Sequence, residues 1–266
     1  MKRTAALVLA LALLVCLCAC GKDSTAAFRT LEVVGTKQYG SICRGGDKLT
    51  AVIDAVMQTL AGSGTLSALS VKWLGSDRNC LDGDAGAFAA LEALPEPRTL
   101  IFGVEADAYP LAYAAEDGHP AGLCADLALA AGELLGWDVA VTFISAEEVA
   151  AQLSSGNIDC ALGFDPSSLT NASKYSAGNC FLENDILLAV RTESEVTRIK
   201  DLKGSRVGTV GDPAILKAVR SSEKLTKYAS GATEYLSLSR CIDALDNGWC
   251  AAIVVDELAL AFYREN

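Results

Sequence analysis

Beyond its first twenty residues this 266-residue chain has no apolar run long enough, and free enough of charge and glycine, to cross a bilayer as a helix, so no membrane span is predicted. Histidine occurs once, at His119, and there is no CxxC or Cys/His spacing, so neither a zinc site nor any other cofactor is expected. His119 falls in the turn-like 117–120 (DGHP) and reads as solvent-facing rather than catalytic. Gly204, Gly208 and Gly211 do not form a GxGxxG after a strand, which removes the dinucleotide fingerprint. Basic residues are scarce as well, 22 Lys and Arg against 33 Asp and Glu. Such a surface repels nucleic acid and gives anionic lipid nothing to hold.

What is present begins with an address. Lys2 and Arg3 precede an apolar run over 5–19, followed by Cys20, Gly21 and a polar stretch, the form of an export signal. Residues 17–20 (LCAC) resemble a bacterial lipobox, which makes Cys20 the expected lipidation site, 1–20 a lipoprotein signal peptide and 21–30 a tether. Loss of Lys2 and Arg3 leaves 20 basic residues against 33 acidic ones, a formal charge near −13, so membrane attachment is expected through lipid only. Seven cysteines remain: Cys43, Cys80, Cys124, Cys160, Cys180, Cys241 and Cys250. They cannot all pair internally, and export permits disulfides, but Cys124, Cys160 and Cys250 lie in apolar patterns, so buried thiols are the first expectation.

The hydrophobic pattern alternates strands and helices. Short strands are expected at 31–34 and 39–43, then a helix whose apolar positions Leu49, Val52, Ile53, Val56, Met57 and Leu60 recur at helical spacing behind the capping residue Asp47. A short helix over 65–73 follows, and 75–97, with Gly83, Gly86, Pro95 and Pro97, reads as a connector holding a helical turn or more. From Leu100 come strands at 100–104, 139–143 and 158–162 with helices over 126–135 and 146–153 between them, and then a strand at 186–190. A second alternation places strands at 206–210, 233–235 and 251–255, helices from Pro213 and over 239–245, and a short final helix. This is an α/β chain whose sheet should be largely parallel, in two lobes.

Five segments, in order, resemble extracytoplasmic solute-binding proteins of family 3, which serve polar amino acid ABC importers. They are 103–110 (GVEADAYP), 122–128 (GLCADLA), 153–159 (LSSGNID), 201–208 (DLKGSRVG) and 254–257 (VVDE). The closing segments of that family are similar instead to 37–47 (KQYGSICRGGD) and to the stretch from Gly64 to Gly75, at the other end of this chain. The resemblance therefore implies a type II periplasmic-binding-protein-like fold, two α/β lobes joined by a hinge, in circularly permuted order. Lobe 1 would be 36–187, with 76–97 as the permutation connector, and lobe 2 would be 31–35 with 188–266.

By the same resemblance Asp256 takes the place of the acid that receives a ligand ammonium, and Glu105 that of an acid facing the ligand side chain, with Tyr109 and Tyr113 nearby. Phe164, Asp165 and Asp212 complete the expected ligand contacts. No arginine stands in the 163–174 loop, where the family holds the ligand carboxylate; Lys174 is a point-charge substitute at most. Ala146 or its neighbour replaces an aromatic. The start of the helix at Pro213 offers free backbone N–H groups as a second anion site. The excess of acid suggests a cationic solute. The implied function is a non-enzymatic, lipid-anchored, monomeric binding component that delivers a polar amino acid or related small cation to an ABC permease and ATPase complex. The alternatives are a dehydratase-like enzyme on the same fold and a sensing or scaffold protein with a degenerate cleft.

Overall fold

A computed structural model describes residues 27–94, 96–168 and 174–263. Cys20, and most of the 163–174 loop beyond Ser168, lie outside the described residues. In chain order the elements are β1 (Phe28–Arg44), α1 (Leu49–Gly62), α2 (Thr65–Leu74), β2 (Leu100–Val104), β3 (Asp107–Ala108), β4 (Ala112–Ala114), β5 (Pro120–Ala121), α3 (Leu123–Leu135), β6 (Val139–Phe143), α4 (Val149–Ser155) and β7 (Cys160–Phe164). They continue as β8 (Tyr175–Arg191), β9 (Arg206–Val210), α5 (Pro213–Ser221), α6 (Glu223–Tyr228), β10 (Gly231–Tyr235), α7 (Leu238–Asp246), β11 (Ala252–Asp256) and α8 (Glu257–Ala261).

One eight-stranded sheet, ordered β10-β9-β11-β8-β1-β7-β2-β6, runs through the molecule. At either end the strands are parallel, β9 with β10 and β11 on one side and β2 with β6 and β7 on the other. In the middle β1 and β8 run antiparallel over almost their whole length, from Phe28 against Arg191 to Arg44 against Tyr175. This corrects the expected strand boundaries: 31–34 and 39–43 are parts of one 17-residue strand, and 186–190 is only the end of another. Gly35, Gly40 and the polar Thr36 to Gln38 look like breaks in the sequence. They are accommodated because β8 pairs alongside and bulges at several points absorb the irregularity. The expected largely parallel sheet is thus parallel at both ends and antiparallel at its waist.

Helices cover both faces of each end, so the apolar residues collect in separate clusters. Leu100, Phe102, Leu123, Leu127, Val56 and Phe181 belong to one, and Ile42, Ile144, Leu153 and Ile158 to a second across the same part of the sheet. Leu188, Val207, Ile215 and Val254 form a third, and Cys241, Ile242, Ile253 and Val255 a fourth. Phe102 and Phe181 are fully buried, and each such ring removed from water contributes about 1.5–3 kcal/mol. β1 belongs to both halves, since Leu31 and Val34 pack on the third cluster while Tyr39 and Cys43 lie in the first. Leu258 and Phe262 also pack on the first cluster, so the last helix leans back across the waist.

The segment between α2 and β2 makes a bond of α-helical type, from Ala90 N to the Gly86 carbonyl, flanked by tighter turn bonds from Ala87 N to the Asp84 carbonyl and from Leu91 N to the Phe88 carbonyl. Its backbone lies so close to the end of α1 that a Cβ on Gly83 would sit 2.1 Å from the Gly62 nitrogen, which is why glycine stands at both positions. Arg78 reaches from it to make a two-pronged ion pair with Glu257, the first residue of α8.

Candidate ligand-binding cleft

The carboxyl ends of β2, β7, β9 and β11 converge on one cavity of about 650 Å³ at the waist of the sheet. Open α/β sheets bind small molecules at such strand ends, because loops and helix starts present their polar groups there. Glu105, Tyr109, Phe164, Asp165, Asp212 and Asp256 all line it. They come from both halves of the sheet. Ala146 lines it too, with Glu147 beside it, so no aromatic ring fills that wall.

Asp256 closes β11 and caps α8, accepting from the Ala259 backbone N–H at 2.7 Å and from Asn184 Nδ2 at 3.0 Å. Asp212 caps α5, accepting from Ala214 N at 2.8 Å and Ile215 N at 3.0 Å. That contact corrects the expected second anion site: Pro213 has no N–H, and the next two donors are already taken by the Asp212 carboxylate. Asp165 accepts from Ser167 N at 2.8 Å in a local turn. Tyr109 is partly exposed in the cleft wall and packs edge-on against Tyr113 and Phe262, with centroids 5.1 and 5.6 Å away. Tyr113 turns away to meet Trp73.

Glu105 has neither hydrogen bond nor ion pair among the described residues, and its carboxyl is raised above the ordinary glutamate value. The residue is exposed as a whole, yet loss of water around its carboxyl in the cleft is the chief cause, opposed by the charge of Lys37 and reinforced by Asp212 and Asp107. A carboxylate held this way gains most from an incoming cation.

Lys37 lines the cleft although nothing in the sequence marked it as a site residue. From the middle of β1 its ammonium stands 2.7 Å from Asp212 and 3.7 Å from Asp256, with the side chain only 10% exposed. Burial by itself would lower its pKa, but the surrounding negative charge outweighs this and holds it well above the usual lysine value. Around neutral pH that attraction comes from the two aspartates, because burial pushes the adjacent Tyr39 phenol up to about 12 and keeps it uncharged. Asn184 in β8 was missed as well; it donates to Asp256 and accepts from Leu258 N at 3.1 Å. Both residues lie on the crossing strands, and only knowledge that those strands run past the cleft would have singled them out.

The sequence profile of the bacterial extracellular solute-binding proteins, family 3, matches residues 100–252. The chain belongs to that family. The matched stretch contains Glu105, Tyr109, Phe164, Asp165, Asn184 and Asp212, while Lys37, Tyr39 and Asp256 of this family 3 protein fall outside it. No curated protein is significantly similar to the chain. Among solved structures, a substrate-binding protein of an ABC uptake transporter from Streptococcus pneumoniae with bound histidine is similar at 22% identity and a TM-score of 0.45, over 60% of this chain and 66% of that one. The second substrate-binding domain of GlnP from Lactococcus lactis, in an open conformation, is similar at 21% identity and a TM-score of 0.49, over 62% and 71%. An ancestral amino acid-binding protein, a precursor of cyclohexadienyl dehydratase, is similar at 20% identity and a TM-score of 0.43, over 61% and 72%.

Proposed function

We propose that this protein is the substrate-binding component of an ABC importer, exported and held at the membrane by a lipid on Cys20, and that its cleft closes by a hinge at the waist around a small cationic solute such as a basic amino acid. The observation that carries the ligand class is the charge of the cleft wall. Among the described residues Glu105, Asp107, Glu147, Asp165, Asp212 and Asp256 face one cation, Lys37, an excess of five negative charges lining a cavity large enough for a small metabolite. Lys37 occupies Asp212 and one side of Asp256, which leaves Glu105 as the principal open acceptor. A dianionic substrate, as a dehydratase would need, meets repulsion in such a wall.

The circular permutation belongs to the same proposal. It is supported by the seat of β1 between β8 and β7, and by Phe28 and Tyr263, at opposite ends of the described chain, which pack on the same cluster. Hinge closure is supported by the cleft walls, which come from two halves joined through β1 and β8.

A thermal-shift and calorimetric panel of arginine, lysine, polyamines, neutral and acidic amino acids tests the reading. A stabilising response confined to the cationic compounds is expected. Binding of acidic or neutral compounds alone would overturn the ligand class, and silence from the whole panel would favour a scaffold whose cleft Lys37 has already filled.

A further inference from the structure

Apart from the cleft, the seven described cysteines form a pattern. Cys43 and Cys160 stand opposite one another across β1 and β7, both buried. Cys241 and Cys250 are buried with both sulfurs against Gly208, and Cys124 is buried alone against Gly163. Cys80 and Cys180 differ from these five in being reachable: Cys80 is exposed and Cys180 half-buried. Their sulfur atoms lie 3.1 Å apart.

The backbone has already brought the two together. Cys80 N donates to the Phe181 carbonyl at 3.2 Å, and Asn79 bridges to Leu182, so the segment between α2 and β2 runs as a short antiparallel partner of β8 at this point. Closing the remaining distance to a bond of about 2.05 Å needs a side-chain adjustment of only about 1 Å. We propose that in the exported protein Cys80 and Cys180 are joined by a disulfide that staples the segment between α2 and β2 to the crossing strand β8.

The two thiols give up two protons and two electrons as the S–S bond forms. A disulfide oxidant, either a protein or a small-molecule disulfide, accepts the electrons through a mixed disulfide and leaves as two thiols. The bond closes a loop of 100 residues, so it restrains the unfolded chain strongly. It also fixes Arg78, two residues away, on Glu257, which adjoins Asp256 at the cleft. Glu183 lies close enough to make a third metal ligand with the two sulfurs. Two sulfurs on one tetrahedral zinc, each about 2.3 Å from the metal, would stand about 3.8 Å apart, so the 3.1 Å separation favours the disulfide over a metal. The proposal rests on export to an oxidising compartment and is independent of which solute the cleft takes.

The test uses the full chain exported from a bacterial host, with thiols blocked by N-ethylmaleimide at lysis and digestion carried out without reduction. The Cys80 and Cys180 peptides are expected as one species, lighter than their sum by two hydrogens, while the other five described cysteines carry maleimide once the protein is denatured. Reductant should lower the melting temperature by roughly 5–10 °C. The double variant Cys80→Ser with Cys180→Ser should melt at the lower temperature and ignore reductant. If that variant does not fold, the peptide map decides alone. Maleimide on both Cys80 and Cys180, with or without bound zinc, overturns the proposal, as does a disulfide joining either of them to another cysteine.

Discussion

The Lys37 ammonium and the Asp212 carboxylate, 175 residues apart in the chain, meet at 2.7 Å inside the cleft. The contact ties the middle of β1 to the start of α5 and brings Asp256 into the same charge group at 3.7 Å. An ammonium built into the protein thus stands among acids that would otherwise repel one another, and it divides the wall into a satisfied part and an open part around Glu105.

Replacing Lys37 by Met removes that ammonium and leaves Asp212 and Asp256 facing each other. Because both aspartates keep some contact with water, the expected loss is about 1–3 kcal/mol of unfolding free energy at pH 7, at or below the range for deeply buried pairs. The folded pKa of Lys37 lies above the unfolded value of 10.5. The stabilisation is therefore complete below that value and disappears as pH rises through the folded one. Denaturant curves for the two proteins should stay a constant distance apart from pH 7 to 10 and converge only in stronger alkali. Convergence between pH 6 and 9 would mean that the ion pair does not hold in solution.

For Glu105 stability falls in the same direction with rising pH, but here the charged form is the unfavourable one. Its carboxyl is raised in the folded protein above its ordinary 4.5, so ionisation costs the native state stability and the cost grows as pH rises through that range. Glu105→Gln should melt slightly higher than the parent at pH 7, with the difference vanishing toward pH 4. The same variant should bind a cationic ligand at least about tenfold more weakly, the loss expected of a charged hydrogen-bonding partner. A stabilised variant with unchanged affinity would remove Glu105 from the binding surface.

Asp256 has two duties that two substitutions separate. Asn at this position keeps an oxygen for the Ala259 N–H and for Asn184, but discards the charge. Asp256→Ala loses the cap as well and should cost about 1–2 kcal/mol more than Asp256→Asn. Both should depress affinity for a cationic ligand to a similar degree. If only the Ala variant binds poorly, Asp256 acts through the helix it caps and not through its charge.

Much of this was legible in the residue order. The helical spacing from Leu49 to Leu60 marks α1, the alternation after Leu100 marks both parallel ends of the sheet, and the six acids and aromatics expected at the site, three at motif positions and three in the stretches beside them, line one cavity. Lys37 was not legible as a cleft residue, because its partners lie 175 and 219 positions away and its neighbours read as a gap between two strands. The anion site at α5 failed for a local reason. An aspartate before Pro213 is itself an excellent cap, and it consumed the donors that the helix start was expected to offer. Likewise Cys80 and Cys180 cannot be paired by spacing; only the short bridge at Asn79 brings them together.

The inferred permutation makes its own prediction. A chain that begins near Arg98, runs to Tyr263, continues through a short Gly/Ser linker into Phe28 and ends near Gly75 should fold. Phe28 and Tyr263 share a cluster, so the linker spans little distance. This rearranged protein lacks Arg78 and should be less stable by about 1 kcal/mol for that ion pair alone, yet should bind the same ligand. Loss of the native circular dichroism spectrum on rearrangement would argue that residues 76–97 nucleate the fold and do not merely join its ends.

The cleft floor depends on one glycine. Gly163, just before Phe164, has φ of +81°, a conformation that side chains rarely adopt, and a Cβ there would sit 2.4 Å from the Cys124 sulfur of α3. Gly163→Ala should therefore lose about 2–4 kcal/mol, from backbone strain and overlap together. Cys124→Ala removes the sulfur and leaves a small cavity, at a cost of about 1 kcal/mol. In the double variant the new methyl group enters the space the sulfur left, so the combined loss should fall short of the sum by about 1 kcal/mol, while the strain from the positive φ remains. Strict additivity would locate the whole cost in the backbone. A double variant as stable as Cys124→Ala alone would locate it in the overlap, and denaturant titration of the four proteins distinguishes these cases.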